Sequence, residues 1–178
     1  MIEILVAVGI AAVVAALAVP VSSQFLSWAK SDSSTEFTLR AINVARDRAI
    51  AERRNIELTF ILPNTLRLER QEVDSNGMTT GNTVLSEVIL EGSQQFLQFS
   101  GVPDTPDGFG ASTALTFGGT PPIMFTSDGS LVDSAGDVVN GSVFVGQPYQ
   151  PMTARAVTIF GVSGLTRAWK WRGSKWVE

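Results

Sequence analysis

The chain has 178 residues, 44% of them hydrophobic and 8% aromatic, which is enough apolar area to order one domain plus an appendage and too much for wholesale disorder. It contains neither cysteine nor histidine, which excludes disulfides, thiolate or imidazole zinc sites, and nucleophile systems of the Ser-His-Asp and Cys-His kinds. The net charge of −4 is lopsided: residues 71–154 carry nine acids and no Lys or Arg, whereas residues 155–178 carry five bases against Glu178 alone, and screening within about 8–10 Å makes these separate surfaces.

Residues 4–21 form an uninterrupted apolar run, close to the roughly 20 residues a helix needs to cross a hydrocarbon layer. The competing reading is a secretory signal peptide, cleaved near Ala18 at Ala16-Leu17-Ala18, and that reading lacks a basic n-region. In its place stands Glu3, an acid that costs about 2.5–3.5 kcal/mol deep in a bilayer unless something pairs with it. Pro20 interrupts what otherwise reads as one helix, and its missing donor predicts a bend there. Phe25, Leu26 and Trp28 continue the apolar character. Between residues 36 and 54 the pattern turns amphipathic: Phe37, Ala41, Val44 and Ala45 fall at helical spacing, as do Ile42 and Ala49, and this face is predicted to pack on a domain. Arg40, Asp47, Glu52, Arg53 and Arg54 fill the other positions as a solvated face.

After Arg54 the period changes from helical to alternating. Ile56-Glu57-Leu58-Thr59-Phe60 alternates cleanly, Pro63-Asn64 turns the chain, and Leu66-Arg67-Leu68-Glu69-Arg70 is a hairpin partner. Further strands are expected over residues 84–90, 95–99, 114–117, 123–126, 142–146, 155–160 and 166–171. Residues 101–110 and 133–141 are rich in Gly, Asp and Pro and read as loops. The fold class is therefore α+β, a long N-terminal helix packed on an antiparallel β-sheet head.

Several motifs carry a family resemblance. Met1-Ile2-Glu3-Ile4-Leu5-Val6 resembles the N-terminal signal of type IV pilins and type II secretion pseudopilins, in which Phe-Thr-Leu-Ile-Glu opens the mature chain. Pro20 lies seventeen residues after Glu3, the same separation as in that family. Residues 41–50, Ala-Ile-Asn-Val-Ala-Arg-Asp-Arg-Ala-Ile, are similar to a helical stretch of the GspH and FimT branch. Ile123-Met124-Phe125-Thr126-Ser127-Asp128-Gly129-Ser130 resembles a strand and turn of GspH-like heads, where Asp-Gly suits a tight hairpin; Val157-Thr158-Ile159 with Ser163-Gly164-Leu165-Thr166-Arg167 resembles their closing hairpin. The likeness covers residues 1–60 well, 120–171 moderately and 71–118 hardly at all. The basic leader, its glycine and the Phe-Thr pair that open the family's mature chain are absent here, so either the start lies upstream, giving a Gly-Phe-Thr-Met-Ile-Glu junction, or the chain is not processed in the family's way.

The resemblance implies a pilin-like subunit in three parts: residues 1–24 as the transmembrane and filament-core half of the helix, 25–54 as its amphipathic half, and 55–178 as a β-rich periplasmic head. It implies a minor pilin or minor pseudopilin, without separating a type II secretion pseudopilus from a type IV pilus. Its partners would be other pilins or pseudopilins in a helical filament, the lipid of the bacterial inner membrane, and a prepilin peptidase where a leader exists. No catalytic activity, cofactor or metal is expected. Glu3 and Pro20 are the assembly residues, Glu3 being matched to the acid thought to neutralise a neighbouring subunit's N-terminal amine.

Two clusters have more than one reading. Asp128, Asp133 and Asp137 offer hard oxygen ligands of the kind calcium prefers, but they lack EF-hand spacing and read as turn residues. The C-terminal segment interleaves Arg167, Lys170, Arg172 and Lys175 with Trp169, Trp171 and Trp176. Cations for phosphates and indoles for stacking suit DNA, and FimT-like minor pilins are associated with DNA uptake. The same alternation equally describes a half-buried edge strand with Trp169 and Trp171 on one face and Lys170 and Arg172 on the other.

Overall fold

The computed structural model describes residues 2–178; the side chains of Leu5, Ala11, Ala12 and residues 14–24 lie outside the described set. Among the described residues no helix is long and apolar enough to cross a membrane, and the expected spanning run 4–21 falls largely outside them, as does the Pro20 side chain.

One helix, α1 (Ile2–Glu52), opens the chain. It stops two residues before the expected end because Arg53 turns left-handed, with φ 52°, and the Arg54 N–H bonds back to the Ala49 carbonyl at 3.3 Å, which is the Schellman way of ending a helix. The strands follow as β1 (Ile56–Ile61), β2 (Thr65–Val73), β3 (Thr79–Ile89), β4 (Gln95–Phe96), β5 (Leu115–Phe117), β6 (Met124–Phe125), β7 (Leu131–Val132), β8 (Gly141–Gly146), β9 (Arg155–Phe160), β10 (Leu165–Trp171) and β11 (Trp176–Val177), with a 3-10 turn at Pro151–Thr153.

They form two antiparallel sheets. The first runs in the order β3-β2-β1-β6-β7, the second β11-β10-β9-β8-β4, with β5 also on the edge of β8. In β1 and β2 the register sets Leu58 opposite Leu68 and Phe60 opposite Leu66, so alternate apolar residues line one face. That face joins Val143, Val145, Val157 and Ile159 of the second sheet and Ala41, Ile42, Ala45 and Ala49 of α1 in one core. The other face of the second sheet is covered too: Phe144, Ala156, Trp169, Trp171 and Trp176 pack with Phe99 and Val102 of the loop before β5. Burial on both faces explains why β8 is apolar at nearly every position rather than alternating.

The expected strand 95–99 is reduced to two residues: the Leu97 N–H still bonds the Phe144 carbonyl of β8 at 3.0 Å, and beyond it the chain passes into the covering loop. Strand β3 begins five residues before expected, its polar start held by pairing with the end of β2.

Candidate assembly surface

The seat of α1 on the head is built from small and hydroxylated residues. Ser31, Ser34, Thr35 and Thr38 are buried beside Ala41, Ile42, Ala45 and Ala49. Burial of hydroxyls is tolerable only when they are bonded. Ser31 Oγ reaches the Ser27 carbonyl at 3.1 Å, Thr35 Oγ1 the Ser31 carbonyl at 2.7 Å and Thr38 Oγ1 the Ser34 carbonyl at 2.9 Å, the back-bonding that lets a helix present hydroxyl positions to a core. Ser31 also meets the buried Gln94 at 2.8 Å.

This seat corrects one expectation. Phe37 and Val44 are each 43% exposed; they stand on the outer side of α1, because a helix approaching a sheet closely does so on its small residues. With Leu26, at eleven and seven residues of spacing, they make an apolar stripe left about half exposed among the described residues.

Charge fastens the same seat. Arg155 on β9 is 2% exposed and pairs with Asp32 of α1, which also receives Lys170 of β10. Burial pushes the Asp32 carboxyl up, but the hydrogen bonds from Lys170 and Arg155 outweigh it and hold the group below its ordinary value. Burial pulls the Arg155 guanidinium down, and Asp32 opposes that. Farther along, Thr166 Oγ1 donates to Asn43 Oδ1 at 3.0 Å, so β10 runs antiparallel to α1.

Toward its start α1 leaves the head. Ile2, Ile4, Val6, Val8, Ile10 and Val13 are all more than half exposed, and Glu3 sits exposed in the first turn.

The structure separates the residues that the C-terminal segment interleaves. Trp169 and Trp171 are buried against Phe144 and the covering loop, so the stacking expected of them on bases does not fit their position. Arg167 lies 2.9 Å from Asp107 and over the Phe160 ring at 4.9 Å, and Lys170 is bound to Asp32. Arg172 and Lys175 remain exposed in the turn before β11. β11 pairs beyond β10 only at Lys170 and Trp171, so β10 is an edge strand over residues 165–169 and covered at its end.

Asp107 lies in the expected loop 101–110 and holds that loop in place. Its carboxylate, 6% exposed, accepts from Arg167, from Trp169 Nε1 at 2.9 Å and from Thr158 Oγ1, tying the loop to β9 and β10. Its partners lie some fifty to sixty residues away, so no local signal marked it. Asp128 and Asp133 cap their own turns, Asp128 receiving Ser130 N at 3.0 Å and Asp133 receiving Ala135 N at 2.9 Å. Among the described residues no group of acids is arranged to hold a metal.

No protein-family model and no curated protein sequence matches the chain. Solved structures do. The minor pseudopilin EpsH of the type 2 secretion system of Vibrio cholerae superposes with a TM-score of 0.50 at 12% identity, covering 79% of this chain and 97% of that one. The type IV minor pilin FimU of Pseudomonas aeruginosa, in two crystal forms, gives TM-scores of 0.48 at 15% and 16% identity, covering 83% of this chain and 97% or 92% of the other. The fold is type IV pilin-like: a long helix packed on antiparallel sheets.

Proposed function

We infer that this chain is a non-enzymatic minor pilin or minor pseudopilin, stored in the bacterial inner membrane by residues 1–24 with its head in the periplasm, and built into a helical filament with other pilins. The observation that carries this is the uncovered apolar helix. Six large apolar residues between Ile2 and Val13 face outward, and the head covers none of them; exposed area on that scale calls for lipid or other protein. In a membrane the alternative cover is another helix, and exchanging lipid for helix packing needs no unfolding of the head. The stripe of Leu26, Phe37 and Val44 continues that surface beside the head and supplies lateral contacts. Glu3 fixes axial register by pairing with a neighbour's amine, since a buried acid is tolerable only when paired, and Pro20 lets the arm bend.

The test is Glu3→Leu in the full chain, with yield of sheared filaments measured in cells that lack the wild-type copy. Filament yield should fall while the head keeps its thermal transition. Unchanged assembly would remove Glu3 from the mechanism.

A further inference from the structure

The cations of the basic turn after β10 make no ion pair among the described residues, and the turn's place in the fold suggests a use for them. Two contacts set the scale: Asn43 of α1 stands beside Thr166, and Asp32 beside Lys170. Eleven helical residues rise about 16 Å and four strand residues about 13 Å, so the two elements advance together toward the start of α1. Continuing past Lys170 brings residues 172–175 to about the level of Ser27 and Trp28. A third contact agrees: a side chain at Gly173 would stand 3.4 Å from Met152 Sδ, and Met152 shares a groove with Trp28 and Tyr149.

The end of the head from which the apolar arm emerges is therefore made of three parts. The turn offers Arg172 and Lys175, both exposed and without an ion-pair partner among the described residues. Residues 147–152 contain no charge and present Tyr149, 99% exposed on a left-handed backbone of φ 64°, with Met152 45% exposed. Across the groove α1 adds Trp28, 39% exposed. A tyrosine with no packing role on a strained backbone needs an external reason. Nearby acids do not cancel the charge: Asp32 is held by Arg155 and Lys170, and Glu178 lies farther up the same cleft as Lys170.

We propose that residues 172–175 and 147–152 form a foot on which the head rests against an anionic phospholipid surface. Arg172 and Lys175 bind lipid phosphates there, and Tyr149 and Trp28 sit at headgroup level. Amphipathic rings collect at that depth and cations near a helix end are drawn to anionic lipid. The proposal rests on the reading that residues 1–24 lie in the membrane, which is what brings this end of the head to a lipid surface.

The chain has no native cysteine, so single fluorophores can be placed at will. Full-length protein carrying Ser174→Cys with an environment-sensitive label is reconstituted into vesicles of phosphatidylcholine alone or mixed with phosphatidylglycerol. Met78→Cys, in the β2–β3 turn at the opposite end, and Val13→Cys, in the arm, are the references. With anionic lipid the Ser174 label shifts to the blue and is quenched by brominated lipid, while the Met78 label stays in water. The docked-to-free ratio falls about fivefold for each of Arg172→Gln and Lys175→Gln, and collapses in about 1 M salt, where screening acts within about 3 Å. A Ser174 label equally wet in both vesicles, with the Val13 label in lipid, overturns the foot and leaves the arm in place. A Val13 label in water overturns both. Duplex DNA that strips the Ser174 label from anionic vesicles at matched phosphate concentration assigns the turn to nucleic acid instead.

Discussion

Two stretches of the same helix behave in opposite ways. From Ile2 to Val13 α1 is built of large apolar residues, and those described are exposed; from Ser31 to Ala49 its inward face is Ser, Thr and Ala with one isoleucine, and it is buried. Burial here follows closeness of approach rather than hydrophobicity, because small side chains let a helix settle on two sheets at once while large ones await a partner from outside. The difference separates what folds this chain from what it assembles with.

The sharpest way to break that comparison is to truncate one isoleucine in each stretch. Ile42→Ala, at a fully buried position, should lower stability by about 2–5 kcal/mol through lost transfer energy and a residual cavity. Ile10→Ala, 61% exposed, should stay within about 0.5 kcal/mol. Urea unfolding of detergent-solubilised full chain, followed by the fluorescence of the buried tryptophans, measures both; equal losses would mean that the arm folds back on the head.

A smaller loss is expected where the head grips the helix by backbone. Gly164, at φ +64°, faces the Gly129 carbonyl and Arg46, whose Cδ would lie 2.5 Å from an added Cβ. Gly164→Ala combines left-handed strain with collision, about 2–3 kcal/mol. Gly77→Ala has the same hand, φ +80°, and open space, so about 1 kcal/mol of strain is all it should show in the same assay.

Next comes the charge that fastens the seat. Asp32→Asn leaves the buried Arg155 without its counter-ion; because Asp32 is itself 44% exposed, water softens the loss to about 1–2 kcal/mol. The Asp32 carboxyl is depressed in the fold, so its contribution is complete above the ordinary carboxylate value near 3.8 and disappears as pH falls through the lower folded value. A urea series taken down from pH 5 should show the wild type losing stability in that window and Asp32→Asn losing less. Parallel acid limbs would refute the pairing.

How much of this was legible in the chain depends on how local the cause was. Strand β9 fell at its expected bounds and β10 within one residue, because alternation and glycine turns are written in adjacent positions. The helix was legible too, but its face was not: counting apolar residues picks out Phe37 and Val44, whereas the buried side includes Ser31, Ser34, Thr35 and Thr38, and the hydroxyls of Ser31, Thr35 and Thr38 bond back to helix carbonyls and so can enter a core. Strands β7 and β11 are two residues each and exist only through partners already in place. Asp107 and Asp32 owe their roles to partners at least fifty residues away. The C-terminal alternation is visible as a pattern, but which side meets solvent is decided by the loop and the helix that cover its two faces.

The mildest expected effect lies at the turn between β6 and β7, which closes the far end of the helix seat. Asp128 accepts from Thr126 and Ser130 hydroxyls and from the Ser130 N–H, and those bonds, the Thr126 hydroxyl foremost, hold its carboxyl at about 2. The turn they shape presents Gly129 to Ile50 and Arg46 of α1, where a Cβ would stand 2.9 Å from Ile50 Cδ1. Since the folded value is depressed, the stabilisation is present above the ordinary carboxylate value and vanishes as pH falls toward 2. Asp128→Asn should therefore unfold slightly earlier than wild type at neutral pH, with the two converging near pH 2. Because the carboxylate is solvent-exposed, salt and water keep the effect below that of Asp32→Asn. Protection of the backbone amides of residues 46–50 from hydrogen exchange is the sensitive readout: it should fall in Asp128→Asn at neutral pH, while the apolar arm, which makes no contact with this turn, exchanges as before.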